Sequence, residues 1–185
     1  MQATITLPTT GTYVIDPTHS NVEITARHMM VTKVRGNFEN VAGTITVGES
    51  VSDSAVSVAF EAATIDTRVA DRDAHLRSAD FLDVENHPTI SFVSTGVSHV
   101  EGDRFVLDGD LTVRGITKPV SFEFEYLGSS QDPWGQERAL FGAKMQFHRE
   151  DWGLTWNAAL ESGGVLVSKV FDVEMNISAV LQQQG

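Results

Sequence analysis

Asp16, His19 and Ser20 are the residue types that a hydrolytic triad needs, and they stand within five positions of one another. A triad also needs its serine on a strained elbow and its histidine held by the carboxylate. Asp16-Pro17-Thr18-His19-Ser20 shows nothing like a G-x-S-x-G turn and reads instead as side chains capping a turn. The six histidines (His19, His28, His75, His87, His99 and His148) form no H-x-x-x-H or H-x-H pair, the clustering that zinc and iron sites usually show. No metal and no cofactor are therefore expected. His28 shares the parity of Val22 and Ile24 and is expected to point inward, where a lone histidine is more often hydrogen-bonded core than ligand. Glu161-Ser162-Gly163-Gly164 lacks the length and the lysine of a phosphate loop. Arg72-Asp73 is a charged pair that, if buried, must be satisfied locally, and it reads as a tie between a helix and its surroundings.

The stronger signal is collective and apolar. Phe60, Phe92, Phe122, Phe124, Phe141 and Phe147 fall on one presumed inner face, with no ionisable group repeated among them. Val22, Ile24, Val58, Ala143 and Met145 share that face by parity, and Leu76, Phe81 and Trp152 stand where a helix and a loop would close its end. These fifteen positions, His28 included, are the candidate ligand-binding residues. Trp152 and Trp156 could equally fill the end of a barrel or touch a ligand. A small barrel with such a face usually has a solid core; the sharper expectation is a cavity for a long apolar ligand.

The elements that must position these residues are strands. Residues 12–15, 22–28, 33–39, 41–47, 54–62, 89–97, 105–113, 120–126, 138–148 and 169–180 alternate apolar and polar with a period of two. One wet and one dry face per strand suits antiparallel pairing. Both a sandwich and a barrel satisfy the pattern, but many long strands favour closure, which removes exposed edges. The expected fold is all-β: an extended antiparallel barrel of about 8–10 strands with one short helix inserted near residues 71–81. In that segment β-branched residues vanish, Val69, Leu76 and Ala79 share a helical face, Asp71 can cap the start, and Asp73 and Arg77 sit at i, i+4. His87-Pro88 closes it, because a residue before proline leaves the helical region.

Composition narrows the partners. The 185 residues fit one domain, expected over residues 12–181, with a flexible segment at 1–11 and a frayed tail at 182–185. With 25 acidic residues against 13 basic ones, the net charge is −12. A surface that acidic repels nucleic acid and disfavours docking on anionic lipid by overall charge. The absence of cysteine excludes disulfides, thiolate metal sites and thiol catalysis. No window approaches a membrane span, and residues 1–11 carry neither a basic n-region nor an apolar h-region, so a cytoplasmic protein is expected.

Several stretches resemble the YceI-like family of polyisoprenoid-binding proteins. They are Tyr13-Val14-Ile15-Asp16-Pro17-Thr18-His19-Ser20, His28-Met29-Met30-Val31 leading to Gly36-Asn37-Phe38, and Arg72-Asp73-Ala74-His75-Leu76-Arg77-Ser78-Ala79-Asp80-Phe81-Leu82-Asp83 followed by His87-Pro88-Thr89-Ile90-Ser91-Phe92. Gly109-Asp110-Leu111-Thr112-Val113-Arg114-Gly115 and Arg149-Glu150-Asp151-Trp152-Gly153-Leu154 complete the series. The resemblance implies a lipocalin-like barrel, an apolar tunnel for a polyprenyl chain or isoprenoid quinone, and a homodimer. It implies no catalytic residues. The expected function is non-enzymatic lipid binding; the alternative is an enzyme acting on a small apolar substrate in the same cavity, with His28 the first ionisable group to inspect.

Overall fold

The computed structural model describes residues 7–183. Ten strands are present: β1 (Gly11–Ile15), β2 (Asn21–His28), β3 (Thr32–Phe38), β4 (Ala42–Val47), β5 (Ala55–Glu61), β6 (Thr89–Glu101), β7 (Arg104–Val113), β8 (Ile116–Gln131), β9 (Glu137–His148) and β10 (Val170–Leu181). Eight of them, in the order β1-β4-β5-β6-β7-β8-β9-β10, close on themselves where Tyr13 pairs with Leu181 and Ile15 with Ala179. All pairings are antiparallel.

The remaining two strands form a hairpin that belongs to the sheet but not to the closed ring. β2 continues β1 past the turn at residues 16–20 and pairs with the first half of β10 (Thr25 with Asp172, Asn21 with Asn176). β3 pairs with β2 and turns into β4 at Asn40, whose φ of 58° supplies the kink. The far edge of β3 meets a loop, through reciprocal backbone bonds between Asn37 and Asp66 (2.9 and 3.0 Å).

The inserted helix, α1, spans Ala70–Arg77 and stops short of the expected Phe81. Ser78 has extended backbone and its hydroxyl donates to the His75 carbonyl at 2.6 Å, which ends the helix. Val69, not Asp71, occupies the cap position, and no side chain caps the helix. Asp73 does not pair with Arg77: its carboxylate accepts from the Thr67 amide (2.9 Å) and the Thr67 hydroxyl, while Arg77 donates to the carbonyls of Ala63 and Ile65 (both 2.8 Å). Burial decides this, since a carboxylate that is only 5% exposed takes the nearest fixed donors. Ala79 lies past the helix and is exposed, as is Val69, leaving Leu76 as the inward anchor.

Of the segment expected to be flexible, Leu7 and Pro8 pack inward, Thr9 receives the Tyr13 hydroxyl at 3.0 Å, and Gly11 is already strand. Gln182, assigned to the tail, still donates its amide to Thr12 at 2.8 Å. Residues 1–6 and 184–185 lie outside the described residues.

Candidate functional site

The inward-pointing side chains leave the barrel hollow. A cavity of about 220 Å³ runs from Leu7 and Val51 at one end to Leu76, Phe81 and Leu154 at the other. β7 alone lines it from Phe105 to Val113. Eight residue steps of ~3.3 Å make ~26 Å along that strand, which is ~20 Å along the barrel axis at a tilt of ~40°. Among the described residues no Asp, Glu, Lys, Arg or His lines the space; the polar residues at its border are Thr46, Ser54, Ser91 and Tyr126. Tyr126 shares its hydroxyl with Ser129 at 2.6 Å.

Aromatic rings set the girth. Phe92 packs on Phe122 (5.4 Å between centroids) and Phe105 stacks on Phe124 (5.2 Å, 22°). Phe141 meets Tyr126 at 5.6 Å, and Phe38 meets Phe60 at 5.0 Å. Gly109 on β7 is the reason Phe92 can lie flat against the wall, because a Cβ there would strike the Phe92 ring.

Of the fifteen candidate residues, thirteen line the cavity: Val22 and Ile24 on β2, Val58 and Phe60 on β5, Phe92, Phe122, Phe124, Phe141, Ala143, Met145 and Phe147 on later strands, and Leu76 and Phe81 at the cap. Two do not. His28 is exposed and bridges to Val167, because the end of β2 overhangs the start of β10 and its parity no longer distinguishes inside from outside. Trp152 is buried, but behind Phe147 (4.7 Å); its indole N–H reaches the Leu111 carbonyl at 3.1 Å, and that bond holds it in the cap. Ile15, Phe38, Ile45, Leu107 and Val113 also line the space, and strand parity could have found them. Leu7, Val51, Ile65 and Leu154 come from loops, where no period marks them.

The cap is fastened by arginines on backbone oxygens. Arg149, with no exposed surface, donates to the carbonyls of Leu154 (2.6 Å), Ser168 (2.8 Å) and Trp156 (2.9 Å). Burial lowers the pKa of this guanidinium, and the surrounding carbonyl oxygens offset that cost. Arg114, at φ 50° beside Gly115 in the β7–β8 turn, joins Gly153 (3.0 Å) to Ala79 (2.8 Å). Arg72 and Asp73 both converge on Thr67, so the pair does tie α1 to its surroundings. His75 lies edge-on to Trp156 (4.5 Å) and bonds Asp80 at 2.8 Å.

The turn at residues 16–20 is a structural node. Asp16 accepts from Thr18 and bonds His19 and Arg138 (2.8 and 2.6 Å), while Ser20 is buried against the Ser178 backbone. The Thr18 hydroxyl, then Arg138 and His19, hold the Asp16 carboxyl well below the usual carboxylate range. The Ser20 hydroxyl is taken up by the Ser178 backbone and makes no hydrogen bond to His19, so these three residues do not form a triad.

Fold and cavity together define a closed eight-stranded antiparallel barrel of the lipocalin-like kind, hollow and apolar along its axis. The chain matches the YceI-like domain over residues 13–179 and belongs to the YceI-like family. Protein YceI of Salmonella newport (strain SL254) is 38% identical over 138 residues, 74% of this chain and 72% of that protein. Among solved structures, Burkholderia cenocepacia BcnA superposes with a TM-score of 0.78 at 14% identity, covering 89% of this chain and 98% of that one. The Campylobacter jejuni YCEI protein gives 0.72 at 20% identity (85% and 90%). A polyisoprenoid binding domain from Saccharophagus degradans, implicated in plant cell wall breakdown, gives 0.70 at 11% identity (92% and 98%). No helix among the described residues is long and apolar enough to cross a membrane.

Proposed function

We propose that the protein binds a linear polyisoprenoid, a polyprenyl chain or the tail of an isoprenoid quinone, inside the barrel and performs no chemistry on it. The observation that carries this reading is the length of the cavity combined with a lining free of charged side chains. A long narrow apolar space rewards a flexible hydrocarbon chain, since each buried CH₂ contributes ~0.8 kcal/mol. General acid–base catalysis would need a titratable side chain free to act on the guest, and Tyr126, the titratable residue on the lining, has its hydroxyl bonded to Ser129 at 2.6 Å. His28, the first candidate for that role, stands exposed on the rim. The polyisoprenoid binding domain from Saccharophagus degradans, with its similar fold, supports the same class of ligand.

The test is organic extraction of the purified protein followed by mass spectrometry, alongside uptake of added polyprenol and quinone by delipidated protein. An isoprenoid guest, released unchanged after prolonged incubation, is expected. Repeated preparations with no guest and no uptake would sink the proposal, and a chemically altered guest would favour the enzyme reading. The same sample reports assembly: family resemblance leads us to expect a homodimer, and a particle of 20.2 kDa would contradict it.

A further inference from the structure

The hairpin of β2 and β3 ends in three consecutive apolar residues that the described residues leave largely uncovered. Met29, Met30 and Val31 are 50%, 59% and 75% exposed. Both methionines take left-handed φ values, 50° and 66°, in a turn closed by the Val31 amide on the His28 carbonyl at 3.2 Å. Glycine, asparagine and aspartate adopt that geometry with least strain, so turn-making does not explain methionine at both places. Nor is the tip a loose end. The Met29 amide donates to Leu166 at 2.8 Å, and the Met30 sulfur lies directly over Gly164.

Charge around the tip runs opposite to the molecule's. Arg27, Lys33 and Arg35 are exposed on the two strands, and residues 24–38 contain no Asp or Glu in a chain of net charge −12. Acids stand at the base of the hairpin, away from its tip: Asp172 and Glu174 on β10 pair with Thr25 and Glu23, and Asp66 pairs with Asn37. Glu23 is 4.0 Å from Arg35, and Glu161 belongs to the adjoining loop closed by the Gly163 amide on Leu160. The inner face of the same hairpin lines the cavity through Val22, Ile24 and Phe38.

We propose that this tip docks on an anionic bilayer surface. Met29, Met30 and Val31 enter the boundary between headgroups and acyl chains, and Arg27, Lys33 and Arg35 meet lipid phosphates. The acidic remainder is repelled by the same surface, which forces a tip-first approach. Docking would bring the cavity's edge to the membrane where a water-insoluble guest resides, yet it does not depend on what the guest is.

Flotation with vesicles of phosphatidylglycerol and phosphatidylcholine, free of any isoprenoid, tests it against vesicles of phosphatidylcholine alone. At low salt the protein is expected to float with the anionic vesicles and to bind the neutral ones at least tenfold more weakly. Val31→Asp and, separately, Lys33→Glu are each expected to reduce anionic binding roughly tenfold. Both side chains are exposed, and unchanged circular dichroism checks that the variants fold. No flotation of the wild-type protein overturns the proposal, as does flotation indifferent to both substitutions. So does a dimer that Val31→Asp dissociates without any vesicle binding, because a second copy would then be what covers the tip. Since the vesicles carry no isoprenoid, failure here and failure of the extraction experiment are separate results.

Discussion

The wall of the barrel and its cap are built by different physics. The wall presents apolar side chains inward and holds itself with backbone ladders, so no single side chain carries its integrity. The cap, formed by residues 62–88 and 149–169, hangs on a few buried or half-buried polar groups: Arg149, Arg114, Arg77, and the pair Arg72 and Asp73 on Thr67. An interior that must stay empty gains little from packing across it. Polar fastening at the end does that work instead, aimed at backbone oxygens and away from the lining. The wall should therefore tolerate changes that the cap cannot.

The largest expected contrast comes from Arg149→Leu. It strands the carbonyls of Leu154, Trp156 and Ser168 in a buried setting, and should cost ~3–5 kcal/mol. For a domain of this size that lowers Tm by about 10 °C. Urea and thermal unfolding measure it; a loss below ~1 kcal/mol would erase the distinction drawn between cap and wall. Asp73→Ala should cost ~2 kcal/mol by the same reasoning, because the Thr67 amide loses its acceptor.

On the wall, Ala143→Phe reads the opposite way. A solidly packed interior would be overfilled at a cost of roughly 1–3 kcal/mol. With hollow space beside Ala143, delipidated protein should lose less than ~1 kcal/mol, while uptake of polyprenol falls at least tenfold as the ring takes the guest's path. Unfolding and uptake measured on one preparation separate the two cases. A heavily destabilised variant would mean the wall is packed like a core.

The smallest effect concerns Asp16, at the joint between β1 and β2. Its folded pKa is depressed, so the stability it contributes is complete above its unfolded value of ~3.9 and is lost as pH falls through the folded value. The gap in urea midpoint between wild type and Asp16→Asn should be constant near neutrality and shrink below about pH 4. A gap unchanged at pH 3 would show that the carboxylate's bonds to Thr18, Arg138 and His19 contribute nothing to folding.

The alternation that identified the strands works only where a strand keeps one face inside. It located the wall because parity holds from Phe141 to Phe147 and from Val173 to Ile177. It stopped at Val97 and at Tyr126, where register shifts between Ser94 and Gly96 and between Tyr126 and Gly128 invert the parity, and both strands continue beyond. It misplaced His28 because the hairpin overhangs the ring. The cap was legible as a break in the pattern, but its bonding was not. Arg149 finds its carbonyl partners on Leu154, Trp156 and Ser168, and backbone acceptors leave no mark on a sequence.

The seam between β1 and β10 has a consequence in time. One edge of β1 pairs with the nearby β4, but its other edge finds a partner only in β10, where Tyr13 meets Leu181, so the ring stays open until β10 has been made. Such non-local closure is slow, of the order of milliseconds to seconds. Until it happens, Tyr13 and Ala179, both without exposed surface in the finished protein, stand on unpaired edges. Unpaired edges of that kind invite pairing between chains, and shortening β10 by a few residues should shift the protein from slow folding to aggregation.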